Sequence, residues 1–187
     1  MSLWKPIIKR YYNPSQDICI DESLVPFCGC IIFRQYMKQK RRKYGNKIFK
    51  LCCGTGCMYV LCVYAGENLE RENTTPTNIV MSLCRDLFHK RHMIYTDNWY
   101  MSLELTEKLI HKNTHLVGTL RSNRGGNLQQ VISTKLKLGE IVAKENNQGM
   151  TILKWWDKKD ILILLTRHSS EIWMFHADHE TSSSHKF

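Results

Sequence analysis

The chain has 187 residues, of which 43% are hydrophobic, 10% aromatic and 24% charged. This length suits one domain, and the composition excludes collagen-like, coiled-coil and intrinsically disordered proteins. The 27 lysines and arginines outnumber the 17 acidic residues, and the net charge of +10 indicates a polyanionic partner, either nucleic acid or an anionic membrane surface. The longest apolar runs, at 57–65 and 161–165, are much shorter than the roughly 20 residues of a membrane span, and the N-terminus has no secretory signal pattern. We therefore expect an intracellular protein without a membrane-spanning helix.

The predicted elements run as strand, hairpin, helix, strand, helix, strand and a β-rich section. Isoleucines and valines favour the strands, Gly54-Thr55-Gly56 favours a hairpin turn, and Thr75-Pro76 favours a helix start. The expected bounds are strands at 17–27, 46–53 and 58–65, a helix with an apolar face from Ile79 to Phe88, a strand at 92–96, a helix at 99–112, and strands at 115–120, 140–144, 150–156 and 160–166.

The eight cysteines do not have the spacing of a zinc or disulfide framework. Cys52, Cys53 and Cys57, with Cys28 and Cys30 upstream, lack the paired C-x2-C units of a zinc ribbon. Several of the cysteines lie in β-like apolar runs, where a free cysteine packs as a small hydrophobic residue. We expect neither structural zinc nor structural disulfides.

The excess of positive charge is concentrated between Arg34 and Lys50, a segment without acidic residues. Such a run favours phosphate contact through counterion release, and the interleaved Tyr36 and Tyr44 can stack or hydrogen-bond to a nucleic acid. The alternative is a solvated hairpin edge that its lysines keep soluble. The basic residues of the segment are Arg34, Lys38, Lys40, Arg41, Arg42, Lys43, Lys47 and Lys50.

Two aspartates lie within a predicted strand or directly after one, where they are candidates for a metal site. Asp21 lies in the first predicted strand, and Asp97 follows the strand after the first helix. Neighbouring central strands bring two such acids together in RNase H-like nucleases, where they hold a divalent metal ion. The alternative for Asp97-Asn98 is a cap of the helix predicted from Trp99.

Six segments together resemble the transposase domain of the piggyBac family, and more narrowly the piggyBac transposable element-derived proteins. The similarity runs in order through the D-E-x-[LM], K-Y-G-x-K, Y-x-D-N-[WF]-[YF]-x-S and V-G-T-[LV]-R-x-N-[RK] motifs. The segments are IDESLVPF (20–27), RQYMKQKRRKYGNKIFKLC (34–52), YTDNWYMSLELTEKLI (95–110), THLVGTLRSNRGG (114–126), KLKLGEIVAKEN (135–146) and LKWWDKKDILILLTRH (153–168).

The resemblance implies a cut-and-paste DNA transposase that hydrolyses and joins phosphodiester bonds with three aspartates and Mg²⁺. Asp21 matches the first catalytic aspartate and metal ligand, and Asp97 matches the second. The third belongs to a G-G-V-D-x-x-D block that this sequence does not contain. We therefore expect Mg²⁺ or Mn²⁺ to bind weakly and catalysis to be lost or severely impaired.

Other positions depart from the family pattern. The family's basic F-[RK]-G-[RK] is here Phe27-Cys28-Gly29-Cys30, which replaces two cations with neutral thiols. The family's N-terminal DNA-binding region and its C-terminal cysteine-rich end have no counterpart in the sequence, which indicates a truncated or decayed element-derived gene.

These observations predict an incomplete α/β fold with an RNase H-like mixed sheet flanked by helices. We expect a partial catalytic core at 1–120, a β-rich insertion region at 121–168 and a divergent, disordered tail at 169–187. The expected partners are DNA, contacted also by Arg121 and Arg124, and a second copy or a parent transposase, in the nucleus. The alternative function is a non-enzymatic nuclear module, derived from a transposase, that binds DNA or chromatin.

Overall fold

The computed structural model describes residues 11–38, 40–64, 75–124 and 129–167. It forms two compact units, which divide between Tyr95 and Thr96. The described residues contain nine strands and several short helices, so the predicted α/β class is confirmed. In this described part of the chain, none of the helices is both long and apolar enough to cross a membrane.

The first unit contains a sheet with the strand order β2-β3-β1-β5, and β4 also pairs with β3. β1 and β3 are antiparallel, with Ile20 opposite Leu51 and Asp21 opposite Lys50. Ile18 and Ile20 are buried, whereas Cys19 and Asp21 lie on the exposed face, as a period of two requires. The elements are β1 (Asp17–Pro26), β2 (Gln35–Tyr36), β3 (Tyr44–Cys53), β4 (Met58–Val63), α1 (Pro76–Leu83) and β5 (Met93–Thr96), whose last residue belongs to the second unit.

Helix α1 begins where the sequence predicts and ends earlier. The Thr75 side chain accepts a hydrogen bond from the Asn78 amide, 3.3 Å away, and Pro76 occupies the first turn. The apolar pattern continues through Leu87, which is buried, but residues 84–91 form turns. Within these turns His89 has a φ of 63°, so a right-handed helix does not resume there.

The second unit has the strand order β6-β9-β8-β7, with antiparallel neighbours throughout. Gly118 in β6 lies so close to Thr96 that an added Cβ would be 2.3 Å from the Thr96 carbonyl oxygen. The elements are α2 (Leu103–Ile110), β6 (His115–Thr119), a 3₁₀ helix (Ser122–Arg124), α3 (Gln129–Ser133), β7 (Ile141–Glu145), β8 (Thr151–Trp156) and β9 (Asp160–Leu165).

The helix predicted from Trp99 begins at Leu103. Its N-cap is Ser102, whose side chain accepts a hydrogen bond from the Leu105 amide at 3.1 Å. Asp97 instead accepts a hydrogen bond from the Trp99 amide at 3.0 Å, so it stabilises a turn before the helix. The interpretation of Asp97 as the helix cap was therefore wrong.

The division into compact units between Tyr95 and Thr96 does not test the functional boundary expected after residue 120. In the sequence β6 precedes residue 120 and β9 follows it, and the two strands pair with each other in one unit. The functional division into a core at 1–120 and an insertion at 121–168 stays a prediction, and the expected tail at 169–187 lies outside the described residues.

Candidate metal-binding carboxylates and basic hairpin

Asp21 lies on the exposed face of β1, with its side chain 56% exposed. Its register partner is Lys50 of β3, and the Lys50 Nζ is 3.7 Å from the Asp21 Oδ2. This distance is longer than that of a direct hydrogen bond, so the ion pair is weak and open to solvent. Asp21 therefore presents a hard, accessible carboxylate that already has a cation beside it.

Asp97 follows β5 and is also exposed. Its Oδ1 accepts the Trp99 amide hydrogen bond, and the neighbouring Asn98 Oδ1 accepts one from Arg121 Nε at 3.2 Å. The turn thus fixes the position of the carboxylate. An exposed aspartate of this kind is the hard oxygen ligand that Mg²⁺ and Mn²⁺ take.

A single aspartate supplies only part of the roughly six oxygen ligands that a divalent ion of this kind takes. No group of three or more His, Cys, Asp or Glu side chains within the described ranges is arranged to hold a metal ion. Asp17 shares the exposed face of β1 with Asp21, but four residues of strand separate them by about 13 Å. The two metal ions of a phosphoryl-transfer site lie about 4 Å apart, so Asp17 cannot serve as the missing third ligand beside Asp21.

The basic segment forms the β2–β3 hairpin and its loop. The Met37 amide donates a hydrogen bond to the Lys43 carbonyl at 2.8 Å, which closes the loop. All the cations of the loop have exposed side chains, and none has a charged partner among the described ion pairs. They are Lys38, Lys40, Arg41, Arg42 and Lys43.

Arg34 and Lys47 lie at the base of this hairpin and contact aromatic rings. The Arg34 guanidinium carbon is 5.2 Å from the centroid of the Tyr44 ring, and Lys47 Nζ is 4.8 Å from that of Phe49. Such cation–π contacts orient the two side chains without neutralising their charge.

Arg121 and Arg124 have structural partners in the second unit. Arg124 Nη1 donates to the carbonyl oxygens of Trp99 and Met101, at 3.1 and 3.0 Å, and its side chain is half-buried. Arg124 therefore stabilises the turn that carries Asp97, while Arg121 remains exposed. Direct contact of either arginine with DNA stays a prediction.

A family model described as Transposase IS4 matches residues 1–186 of the chain. The chain belongs to this piggyBac-type transposase family. A piggyBac transposase in the cryo-EM structure of a synaptic complex with hairpin DNA has the same fold, with a TM-score of 0.78 and 24% sequence identity. The match covers 88% of this chain and 38% of that one, so the chain spans about two fifths of the length of the matched transposase. The sequence resemblance to the piggyBac family is confirmed.

Sequence reasoning missed a hydrogen-bonded thiol, that of Cys53, at the β3–β4 hairpin of this transposase-family chain. Cys53 Sγ lies 2.8 Å from the Tyr12 hydroxyl and 3.0 Å from that of Thr55, and the thiol donates to the Cys57 carbonyl at 3.2 Å. Burial would raise the pKa of Cys53, but hydrogen bonds from Thr55, Tyr12 and the backbone outweigh it and lower the pKa to about 7. Only a turn was predicted here, because Tyr12 is far from Cys53 in sequence.

A second pair was also missed on the exposed face of β1. The Tyr95 hydroxyl of β5 donates to Asp17 Oδ1 at 3.4 Å. The change from polar Asp17 to apolar Ile18 was the only sequence signal that Asp17 lies on the exposed face. Only the structure identifies Tyr95 as its partner.

Proposed function

We propose that this chain is a transposase-derived DNA-binding domain with an RNase H-like core, in which the β2–β3 hairpin contacts phosphates and Asp21 and Asp97 ligate Mg²⁺ or Mn²⁺. Membership of a transposase family and the fold shared with a piggyBac transposase support this proposal. Because chromosomal DNA would be the ligand, we place the protein in the nucleus. Transposition joins two DNA ends, so a second copy or a parent transposase is the proposed protein partner.

The exposed hairpin loop is the observation that carries the DNA-binding proposal. Lys40, Arg41, Arg42 and Lys43 are consecutive, and all four are exposed at the end of a hairpin. Each cation that replaces a counterion at a phosphate makes binding more sensitive to salt, by about 0.9 in the slope of log K against log salt for duplex DNA. The contact with phosphates should be insensitive to base sequence.

The test replaces all four loop residues by serine and measures duplex affinity over a range of salt concentrations. We expect the slope to become shallower by roughly three to four units. The matched control replaces four exposed lysines of the second unit by serine, which removes the same charge. The control residues are Lys135, Lys137, Lys158 and Lys159. Equal loss of slope in the two variants would show a nonspecific charge effect and reject the hairpin as the contact surface.

The metal proposal rests on the accessible carboxylates of Asp21 and Asp97. A bound divalent ion would activate the attacking oxygen and stabilise the leaving oxygen of a phosphodiester. The chain's own contribution is to present these carboxylates from strand β1 and from the turn after β5. We expect saturable Mn²⁺ binding, followed by electron paramagnetic resonance, that is lost in Asp21→Asn and in Asp97→Asn. Binding that survives both substitutions would place the metal elsewhere, and no binding at all would favour the non-enzymatic module.

We propose that catalysis by these 187 residues is severely impaired. The third aspartate of the family motif has no counterpart in the sequence. Metal ions stabilise the charge of the transition state when a complete set of ligands holds them in place. A loss of about 5 kcal/mol of that stabilisation lowers the rate by nearly four orders of magnitude. Nicking or joining of DNA with inverted terminal repeats, in Mg²⁺ or Mn²⁺ and dependent on Asp21, would contradict this proposal.

A further inference from the structure

Three side chains form an exposed stack on the β2–β3 hairpin. The rings of Tyr36 and Tyr44 are tilted by 51° with 5.0 Å between their centroids, and the Arg34 guanidinium carbon lies 5.2 Å from the centroid of the Tyr44 ring. Tyr36 is 53% exposed and Tyr44 is 54% exposed. Aromatic side chains of this size are usually covered, so this stack, made of Arg34, Tyr44 and Tyr36, is an unusual surface feature.

The backbone fixes the geometry of this stack. Tyr36 and Tyr44 are register partners. The next pair along the hairpin, Met37 and Lys43, is hydrogen-bonded, because the Met37 amide donates to the Lys43 carbonyl. Tyr36 and Tyr44 therefore form a non-hydrogen-bonded pair, whose side chains approach most closely. Arg34 is held in place by hydrogen bonds from its Nη1 to the carbonyls of Cys28 and Gly29, at 3.4 and 3.3 Å. The stack is thus ordered before any ligand arrives.

We infer that the stack binds unpaired bases of DNA, so that the hairpin prefers single-stranded or unpaired DNA to a continuous duplex. The inference rests on the proposed DNA-binding function and deepens it. Proteins that hold single strands combine aromatic faces, on which bases stack, with cations that follow the phosphates. The hairpin supplies both, because the cations of 40–43 follow Tyr36 and precede Tyr44 along one turn.

The chemistry of the stack determines whether single-stranded or duplex DNA is the better ligand. A base inside a duplex is stacked on both faces and cannot cover a tyrosine ring, whereas an unpaired base exposes its face. Stacking of this kind tolerates any base, so no sequence preference is expected. Phosphate contacts alone would favour the duplex, which has the higher charge density.

A purely structural role for the stack makes a different prediction. Cross-strand aromatic pairs stabilise hairpins by themselves. In that role the stack would change the free energy of folding and would not change the preference for one form of DNA. Loss of the stack would then weaken binding to single-stranded and duplex DNA by the same factor.

The experiment compares the affinity for oligo-dT with that for a duplex of equal length, in the wild type and in Tyr36→Leu, Tyr44→Leu and the matching phenylalanine variants. Leucine keeps an apolar side chain and removes the aromatic face, while phenylalanine keeps both. We expect each leucine variant to bind oligo-dT roughly 5- to 100-fold more weakly, with duplex affinity changed less than twofold, and phenylalanine to retain the preference. Thermal unfolding of each variant confirms that it is folded.

The outcomes separate this inference from the proposed function. Equal loss of affinity for both DNA forms, or no loss for either, would overturn the role of the stack while the salt test of the loop cations stands. If serine at 40–43 leaves the salt slope unchanged, the proposed hairpin contact fails in its own right. If a leucine variant does not fold, the oligo-dT affinity of Arg34→Gln decides, since the guanidinium also stacks on bases. Retained affinity in Arg34→Gln together with no preference of the wild type for oligo-dT would reject the inference.

Discussion

Asp21 and Lys50 face each other across the β1–β3 ladder, with the Lys50 Nζ 3.7 Å from the Asp21 Oδ2. The Lys50 ammonium group lies beside the carboxylate that we propose as a metal ligand. Both side chains are accessible to solvent, at 29% exposed for Lys50 and 56% for Asp21. If Asp21 binds a divalent ion as we propose, the ion would displace Lys50 without opening the protein core.

The first prediction concerns Lys50→Gln. Removing the ammonium removes a competitor for Asp21, and exposed ion pairs are worth about 0.2–1 kcal/mol, so Mn²⁺ affinity should rise roughly 1.5- to 5-fold. Titration with detection by electron paramagnetic resonance measures the change. The control is Lys47→Gln, which removes the same charge from β3 at a position opposite Leu24 and away from Asp21. An equal rise in both variants would assign the effect to net charge rather than to the ion pair.

The second prediction concerns Gly118 in β6. A Cβ at this position would lie 2.3 Å from the Thr96 carbonyl oxygen and 2.6 Å from Met101 Cε. Because one of these atoms belongs to the backbone, Gly118→Ala should lower the free energy of unfolding by about 1–3 kcal/mol, measured in urea. Gly54→Ala is the control, since its nearest neighbours are 3.7 Å away and its effect should stay within about 0.5 kcal/mol. Equal stability of the two variants would show that β6 can move away from Thr96.

Local patterns predicted the elements that depend on neighbouring residues. The strand-forming residues Ile18 and Ile20 predicted β1, and Thr75-Pro76 predicted the start of α1. The end of α1 was not predictable, because Leu87 continues the apolar pattern and is buried by turns rather than by the helix. The start of α2 was misplaced because Ser102 competes with Asp97 as a cap, and the sequence does not rank the two.

Partners of the candidate site residues depend on distant pairing and could not be read from the sequence. Asp21 was predicted as a metal ligand and stays a prediction, whereas its contact with Lys50 depends on the register between β1 and β3. Arg124 was predicted to contact phosphate, and the sequence did not show that its guanidinium also hydrogen-bonds to the Trp99 and Met101 carbonyls. A periodic pattern shows which face a residue occupies, and it does not show which backbone groups approach that face.

The third prediction concerns Lys154, a buried lysine in β8. Its side chain is 4% exposed, its Nζ lies 3.1 Å from Asp160 Oδ2, and it donates to the carbonyls of Ile132 and Thr134 at 2.9 and 2.6 Å. Lys154→Met leaves both carbonyls without this donor, so the free energy of unfolding should fall by about 1–3 kcal/mol in urea titrations. Lys158→Met, at an exposed position, should change it by less than about 0.5 kcal/mol. Unchanged stability in Lys154→Met would mean that water replaces the ammonium at these carbonyls.

The fourth prediction concerns the pH dependence of stability near Cys53. Its pKa of about 7 lies below the ordinary value of 9.0, because hydrogen bonds from Thr55, Tyr12 and the backbone outweigh the effect of burial. A thiol whose pKa is lowered by folding stabilises the folded state above the unfolded pKa, and this contribution is lost as the pH falls through about 7. Between about pH 7 and 9 the urea midpoint of the wild type should therefore rise more steeply than that of Cys53→Ser.

The titration of Cys53 itself checks the cause of this effect. With labelled cysteine, the Cβ chemical shift that disappears in Cys53→Ser should titrate near pH 7 in the wild type. Thr55→Val removes a hydroxyl 3.0 Å from Sγ, so the pKa should return toward 9.0 while the fold is kept. Tyr12→Phe removes the other hydroxyl, at 2.8 Å, and should shift the pKa in the same direction. A midpoint that stays near pH 7 in both variants would assign the lowered pKa to the backbone amides of the hairpin, and one near 9 in the wild type would contradict the prediction.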